Sequence, residues 1–138
     1  AVQHDLSFTL ADLEKFDSRK IEDLVITNHM GEVKGTATGL KGILVRDVLG
    51  KMEIKAESPK VLSEFYLTFI ATDGYKVVYS WNELFNSKTG DNVYIITEKA
   101  GRKISEMDER ILVITSSDLK TGRRHIKGLS KIVVSRTN

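Results

Sequence analysis

The sequence predicts an α+β domain, a mixed or antiparallel β-sheet carrying a few short helices. Three observations carry this expectation. Six runs rich in β-branched and aromatic residues outnumber three short segments with helical spacing. Two of those runs flank Asp73-Gly74, the strongest short hairpin signal available. The chain has 138 residues, 41% hydrophobic and 29% charged, which matches a globular composition. No repeat, low-complexity tract or Gly/Ser linker divides it, so residues 1–138 are expected to form one domain.

Taken in order, "TLADLEKF" (9–16) places Leu10, Leu13 and Phe16 three apart, and Thr9 can cap with Asp12, which predicts a short helix. "DLVIT" (23–27) predicts a buried strand. The polar "NHMGEVKGTATG" (28–39), with three glycines, predicts a loop. In "ILVRDVLGKM" (43–52), Val45, Val48, Leu49 and Met52 follow the spacing of an amphipathic helix facing the core, although Gly50 weakens it. The only proline, Pro59, sits in a loop before "EFYLTFIAT" (64–72), which pairs with "YKVVYS" (75–80) across the Asp-Gly turn. "SWNELF" (80–85) is a capping box, Ser80 with Glu83, opening a helix with Trp81, Leu84 and Phe85 inward. "NVYIITEK" (92–99), "RILVIT" (110–115) and "LSKIVVS" (129–135) supply the remaining strands.

The 21 basic and 19 acidic residues leave a formal charge of +2, too balanced for nucleic acid as a bulk electrostatic partner. No apolar run approaches the ~18 residues a membrane span needs. The absence of cysteine excludes disulfides, thiolate metal sites and cysteine nucleophiles. A chain beginning "AVQHD" rather than with Met points to an exported, periplasmic protein after leader removal, with a cytoplasmic location as the open alternative.

Metalloprotease, nucleophile-elbow and phosphate-loop motifs are missing, and "KTG" (88–90) has the wrong order for the last of these. His4, His29 and His125 have no neighbouring His or carboxylate at metal-ligand spacing, so no metal site and no catalytic residue is assigned. "EMDER" (106–110) reads as a solvated connection and "SSD" (116–118) as a turn. One cluster stands out. In "TGRRHIKG" (121–128), Arg123, Arg124, His125 and Lys127 fall within five positions. Such a cluster can point into water, Arg124 or Lys127 can pair with a carboxylate such as Glu32 or Asp118, or the cluster can hold an oxyanion. For the last reading, arginine offers a planar fork, lysine a point charge, and the backbone around Gly122 further N–H donors.

"TGRRHIKGLSKIVV" resembles the closing segment of the sulfite-oxidase-type molybdopterin-binding domain family, a Gly-x-Arg-x-x-Lys-x-Leu pattern leading into a last strand; Gly122, Arg124, Lys127 and Leu129 hold those places. The likeness runs upstream in the same order. "TLADLEKF" resembles the family's opening strand-to-helix step. "GLKGILVRDVL" (39–49) resembles its leu-leu-x-asp-leu-leu segment, with Leu44, Asp47, Val48 and Leu49 in register. "TDGYKVVYSWNELF" resembles its Asp-Gly-Tyr hairpin and following helix. "AGRKISEMDERILVIT" resembles its Asn-Gly turn and subsequent strand, with Gly101, Ile104, Arg110 and Leu112 matching. The resemblance covers almost the whole chain and implies the sulfite oxidase molybdopterin-binding fold.

The departures define the expectation for function. The family ligates molybdenum through a cysteine in a Cys-x-Gly-Asn stretch; here "HMGE" places His29 at the cysteine and Glu32 at the asparagine. Imidazole is a poor electronic substitute for a thiolate at an oxo-molybdenum centre. The loop 28–39 is too brief for the insertions that supply further cofactor contacts, and Gly128 stands where an aromatic usually follows the lysine. The resemblance therefore implies a small homologue that keeps a pterin-phosphate or other small-anion pocket without sulfite-oxidase-type redox catalysis. Arg124 and Lys127 are its expected contacts, with Gly122, Arg123, His125 and His29 beside them and the glycines at 31, 35 and 39 letting the loop approach. Two alternatives stay open: a non-catalytic interaction module on this scaffold, and an atypical molybdenum oxidoreductase with His29 as ligand.

Overall fold

The computed structural model describes residues 3–50 and 58–137. Strands β1 (Gln3–Leu6), β2 (Arg19–Ile21), β3 (Leu24–Thr27), β4 (Val33–Ala37), β5 (Leu40–Leu44), β6 (Phe65–Ala71), β7 (Lys76–Ser80), β8 (Val93–Lys99), β9 (Arg102–Lys103), β10 (Leu112–Thr115) and β11 (Leu129–Arg136) are interspersed with helices α1 (Leu10–Glu14), α2 (Val45–Leu49) and α3 (Trp81–Phe85). The chain is an α+β protein rich in sheet, and every strand ladder among the described residues is antiparallel. One sheet runs β1-β11-β6-β7 and a second runs β10-β8-β5-β2, with β9 paired to β8; β3 and β4 form a separate hairpin.

Burial explains the strand sequences. In β6, Phe65, Leu67, Phe69 and Ala71 are buried and alternate with half-buried residues, as a strand with one core-facing side should. The main core joins those side chains to Ile43, Val93, Ile95 and Val113 of the second sheet, with Leu13, Val45, Val48, Leu49 and Leu84 from the three helices. The opposite face of the second sheet contributes Leu40, Ile96, Leu112 and Ile114 to a smaller core that Leu24, Ile26 and Ala37 of the hairpin help to cover. β10 is therefore buried at all four positions, which is why "LVIT" reads as an unbroken apolar run there.

Local signals set the helix starts. Thr9 accepts the Asp12 N–H while Asp12 accepts the Thr9 N–H, and Ser80 and Glu83 do the same at α3. Asp73-Gly74 turns β6 into β7 with Tyr66 opposite Ser80, and Gly74 takes φ +89° there. Three expectations need correction. Among the described residues "DLVIT" pairs only with β4, and it is half-buried, because Val25 points outward. The segment 28–39 contains β4 besides its turn. In the segment 43–52, Ile43 and Leu44 finish a strand that pairs with β8, and the helix begins at Val45; Val45, Val48 and Leu49 do face the core, while Met52 lies outside the described residues. Among the described residues no helix is long and apolar enough to cross a membrane.

Candidate functional site: a cleft between two turns

The cleft begins with Asn28. Its side-chain oxygen accepts the N–H groups of Met30 and Glu32, and its amide donates to Glu32, which folds residues 28–32 into a tight turn at the end of β3. Against this turn lies the helical turn Thr121–Arg124. Thr121 donates its hydroxyl to the Val25 carbonyl and accepts the Thr27 N–H, and Thr27 accepts the Gly122 N–H at 3.0 Å. The approach is so close that a Cβ on residue 122 would stand 2.0 Å from the Thr27 carbonyl oxygen, so only glycine fits. Arg123 completes the clamp, its Nε donating to the His29 carbonyl at 2.7 Å and its carbonyl accepting from the Tyr75 hydroxyl.

A cleft of about 360 Å³ opens beside the clamp, lined among others by His29, Lys34, Tyr75, Gly122, His125 and Lys127. The His29 and Tyr75 rings are nearly parallel, with centroids 5.5 Å apart and planes 8° from coincidence. Lys34 and Lys127 are exposed and form no ion pair among the described residues; Asp73 is the one carboxylate in the wall and accepts the Tyr75 N–H. Burial pushes the His125 imidazole down to about 4, and the charges of Lys127 and Lys99 act in the same direction, so the ring is neutral at neutral pH. Its Nδ1 is enclosed without a hydrogen-bond partner. Beyond Lys127 and Asp73, which line both, a wider groove of about 770 Å³ runs along Arg102 and Arg110.

The basic cluster thus divides. His29, Gly122, His125 and Lys127 come together at the cleft, and Arg123 braces it. Arg124 turns to the other side. Its Nε and Nη2 bind the two oxygens of Asp118 at 2.7 and 2.6 Å, Nη1 binds Glu83 at 2.9 Å, and the guanidinium lies 4.7 Å from the centroid of the Tyr79 ring. The bidentate Asp118 contact, opposed by burial and reinforced by Glu83, holds the guanidinium more firmly charged than a free arginine. The expected phosphate contact is in place an internal strut. The Gly122 N–H is also taken, by Thr27, and cannot serve a ligand. Of the three glycines in the loop, Gly31 packs beside the Lys120 stem, Gly35 has open space, and Gly39 meets the backbone of Ala100. Lys34, Tyr75 and Asp73 were not singled out as site residues by the sequence, because only the register of β3 with β4 and the Asp-Gly turn place them here.

Two chemistries can be tested against these residues. A molybdenum centre needs soft donors, and the chain offers imidazole in place of thiolate; the described residues contain no group of three His, Asp or Glu able to hold a metal. The metal does not fit. A planar anion does: Lys34 and Lys127 supply point charges, and the Tyr75–His29 pair supplies an ordered aromatic surface. Neither imidazole in the cleft is hydrogen-bonded to a nucleophile or a carboxylate among the described residues, so no acid–base relay is assembled. No protein-family model, curated protein or solved structure matches the chain.

Proposed function

We propose that the protein is a small-anion-binding module related to the sulfite-oxidase molybdopterin-binding domains, and that its cleft takes a phosphorylated planar heterocycle of the pterin type without oxo-transfer chemistry. One observation carries the reading. The position that resembles the family's metal-ligating cysteine, His29, and the segment that resembles its cofactor-binding close are clamped together, joined by the Arg123–His29 hydrogen bond across 94 positions. Two likenesses drawn from distant parts of the sequence therefore converge on one cleft. Lys127 keeps its place as an anion contact in this reading, with Lys34 as its second cation in place of Arg124.

The test is thermal unfolding with inorganic phosphate and with a phosphorylated pterin. A ligand that binds only the folded state at a hundredfold over its Kd stabilises by about 2.7 kcal/mol, a shift of several degrees. Lys127→Ala together with Lys34→Ala should abolish the shift. An unchanged midpoint at millimolar ligand, or a shift that survives both substitutions, removes the reading. The negative half has its own check: protein loaded with molybdenum cofactor should not oxidise sulfite, and turnover abolished by His29→Ala would establish the oxidoreductase instead.

A further inference from the structure

Six large hydrophobic side chains are exposed among the described residues, and four of them gather at one end: Val25, Met30 and Val33 on the β3–β4 hairpin and Leu119 just before the helical turn at 121–124. Leu119 is 97% exposed, Met30 75% and Val33 69%. Met30 and Leu119 are held near each other because the Lys120 stem lies over Gly31, so each of these two stands one residue from that contact. The cations around them, Lys34, Lys120 and Arg123, form no ion pair among the described residues. Of the local carboxylates, Asp118 is paired with Arg124, while Glu32 accepts from the neutral Asn28 amide and keeps its charge, one negative group against the three cations.

We propose that this end of the molecule docks on an anionic lipid surface, with Leu119 and Met30 entering the headgroup region and Lys34, Lys120 and Arg123 meeting lipid phosphates. Two features favour lipid over a protein partner. The apolar groups are separate tips on two turns rather than one flat face, and a handful of side chains falls well short of the ~1,200–2,000 Å² that a specific protein interface buries. Lipid needs no complementary surface, since apolar insertion and attraction to anionic headgroups add without one. The turns are rigid enough to insert together, because Thr27, Thr121 and Gly122 hydrogen-bond them to each other.

Cosedimentation with vesicles of phosphatidylcholine, with and without phosphatidylglycerol, decides it. Binding should require the anionic lipid and weaken as salt rises. Leu119→Ser and Met30→Ser, both at exposed positions that leave the fold intact, should each lower partition by about tenfold, and Lys120→Gln by about fivefold. No binding to the anionic vesicles overturns the proposal. So does binding that the Leu119 and Met30 substitutions leave unchanged, which is plain electrostatic adhesion, and so does a concentration-dependent dimer that Leu119→Ser dissolves, which makes a second copy the occupant. Lys34 is shared with the anion cleft, but the deciding substitutions, at Leu119, Met30 and Lys120, fall outside the cleft's lining, so the cleft stands or falls separately.

Discussion

Arg124 shows what one residue's surroundings do to its meaning. As a letter in "TGRRHIKG" it matched an anion contact, yet Asp118, six positions before it, and Glu83, 41 before it, take its donors. Three cations and a neutral imidazole in five positions cannot all face the same way on and just after a tight helical turn, and Asp118 was a local partner open to either Arg124 or Lys127. The ring of Tyr79, fully buried and hydrogen-bonded to Thr115, selects Arg124 by offering its face. Arg124→Ala strips one partner from two carboxylates and uncovers that ring. Because Asp118 and Arg124 are mostly shielded while Glu83 is more open, the cost should be about 2–3 kcal/mol, below that of a fully buried pair. Urea unfolding of Arg124→Ala, Asp118→Ala and the double variant should be strongly non-additive. Additive losses would mean that the fork is decorative. Arg124→Lys should recover less than half, since an ammonium cannot span both Asp118 oxygens.

At the scale of elements, what could be read was what lay within a few residues. Both capping boxes and the Asp-Gly hairpin were legible because their partners sit two or three positions apart, and their geometry is independent of the rest. β4 was not legible. Its sequence, "VKGTA", carries glycine and exposed polar residues, and it exists because it answers β3 and helps cover a second core. β5 was half hidden for a related reason: Gly42 is required where a Cβ would meet the Ile95 carbonyl at 2.9 Å, and a glycine in a strand looks like a break. The cap of α3 reaches beyond its own helix. One oxygen of Glu83 accepts the Ser80 N–H and the other accepts from Arg124, so the cap also aims the strut. Ser80→Ala should cost about 1 kcal/mol of unfolding free energy, with Ser80→Asp restoring most of it. A loss well below that, measured by urea titration, would show that Glu83 holds its place without the cap.

Across the whole molecule, the division into two sheets and a separate hairpin was not legible, because it depends on which strand each neighbour finds rather than on any run of residues. That division encloses His125, which leads into Ile126, bridged to Val113 of the second sheet. The imidazole is driven from 6.5 to about 4 by burial, with Lys127 and Lys99 adding and Glu109 opposing. A histidine held neutral in the folded state binds its proton first in the unfolded chain. Between pH 6.5 and pH 4 the unfolded state therefore carries more protons, and stability falls as the pH is lowered through that window. Above it the two states bind alike and the group contributes no slope. At pH 5 the penalty should be about 2 kcal/mol. Comparing urea unfolding at pH 7 and pH 5, the wild type should lose about 2 kcal/mol more than His125→Gln, which has no imidazole to charge. Equal losses in the two proteins would mean that the ring takes up its proton in the folded state as readily as in water, and that the wall of the cleft at His125 is wetter than its enclosed Nδ1 implies.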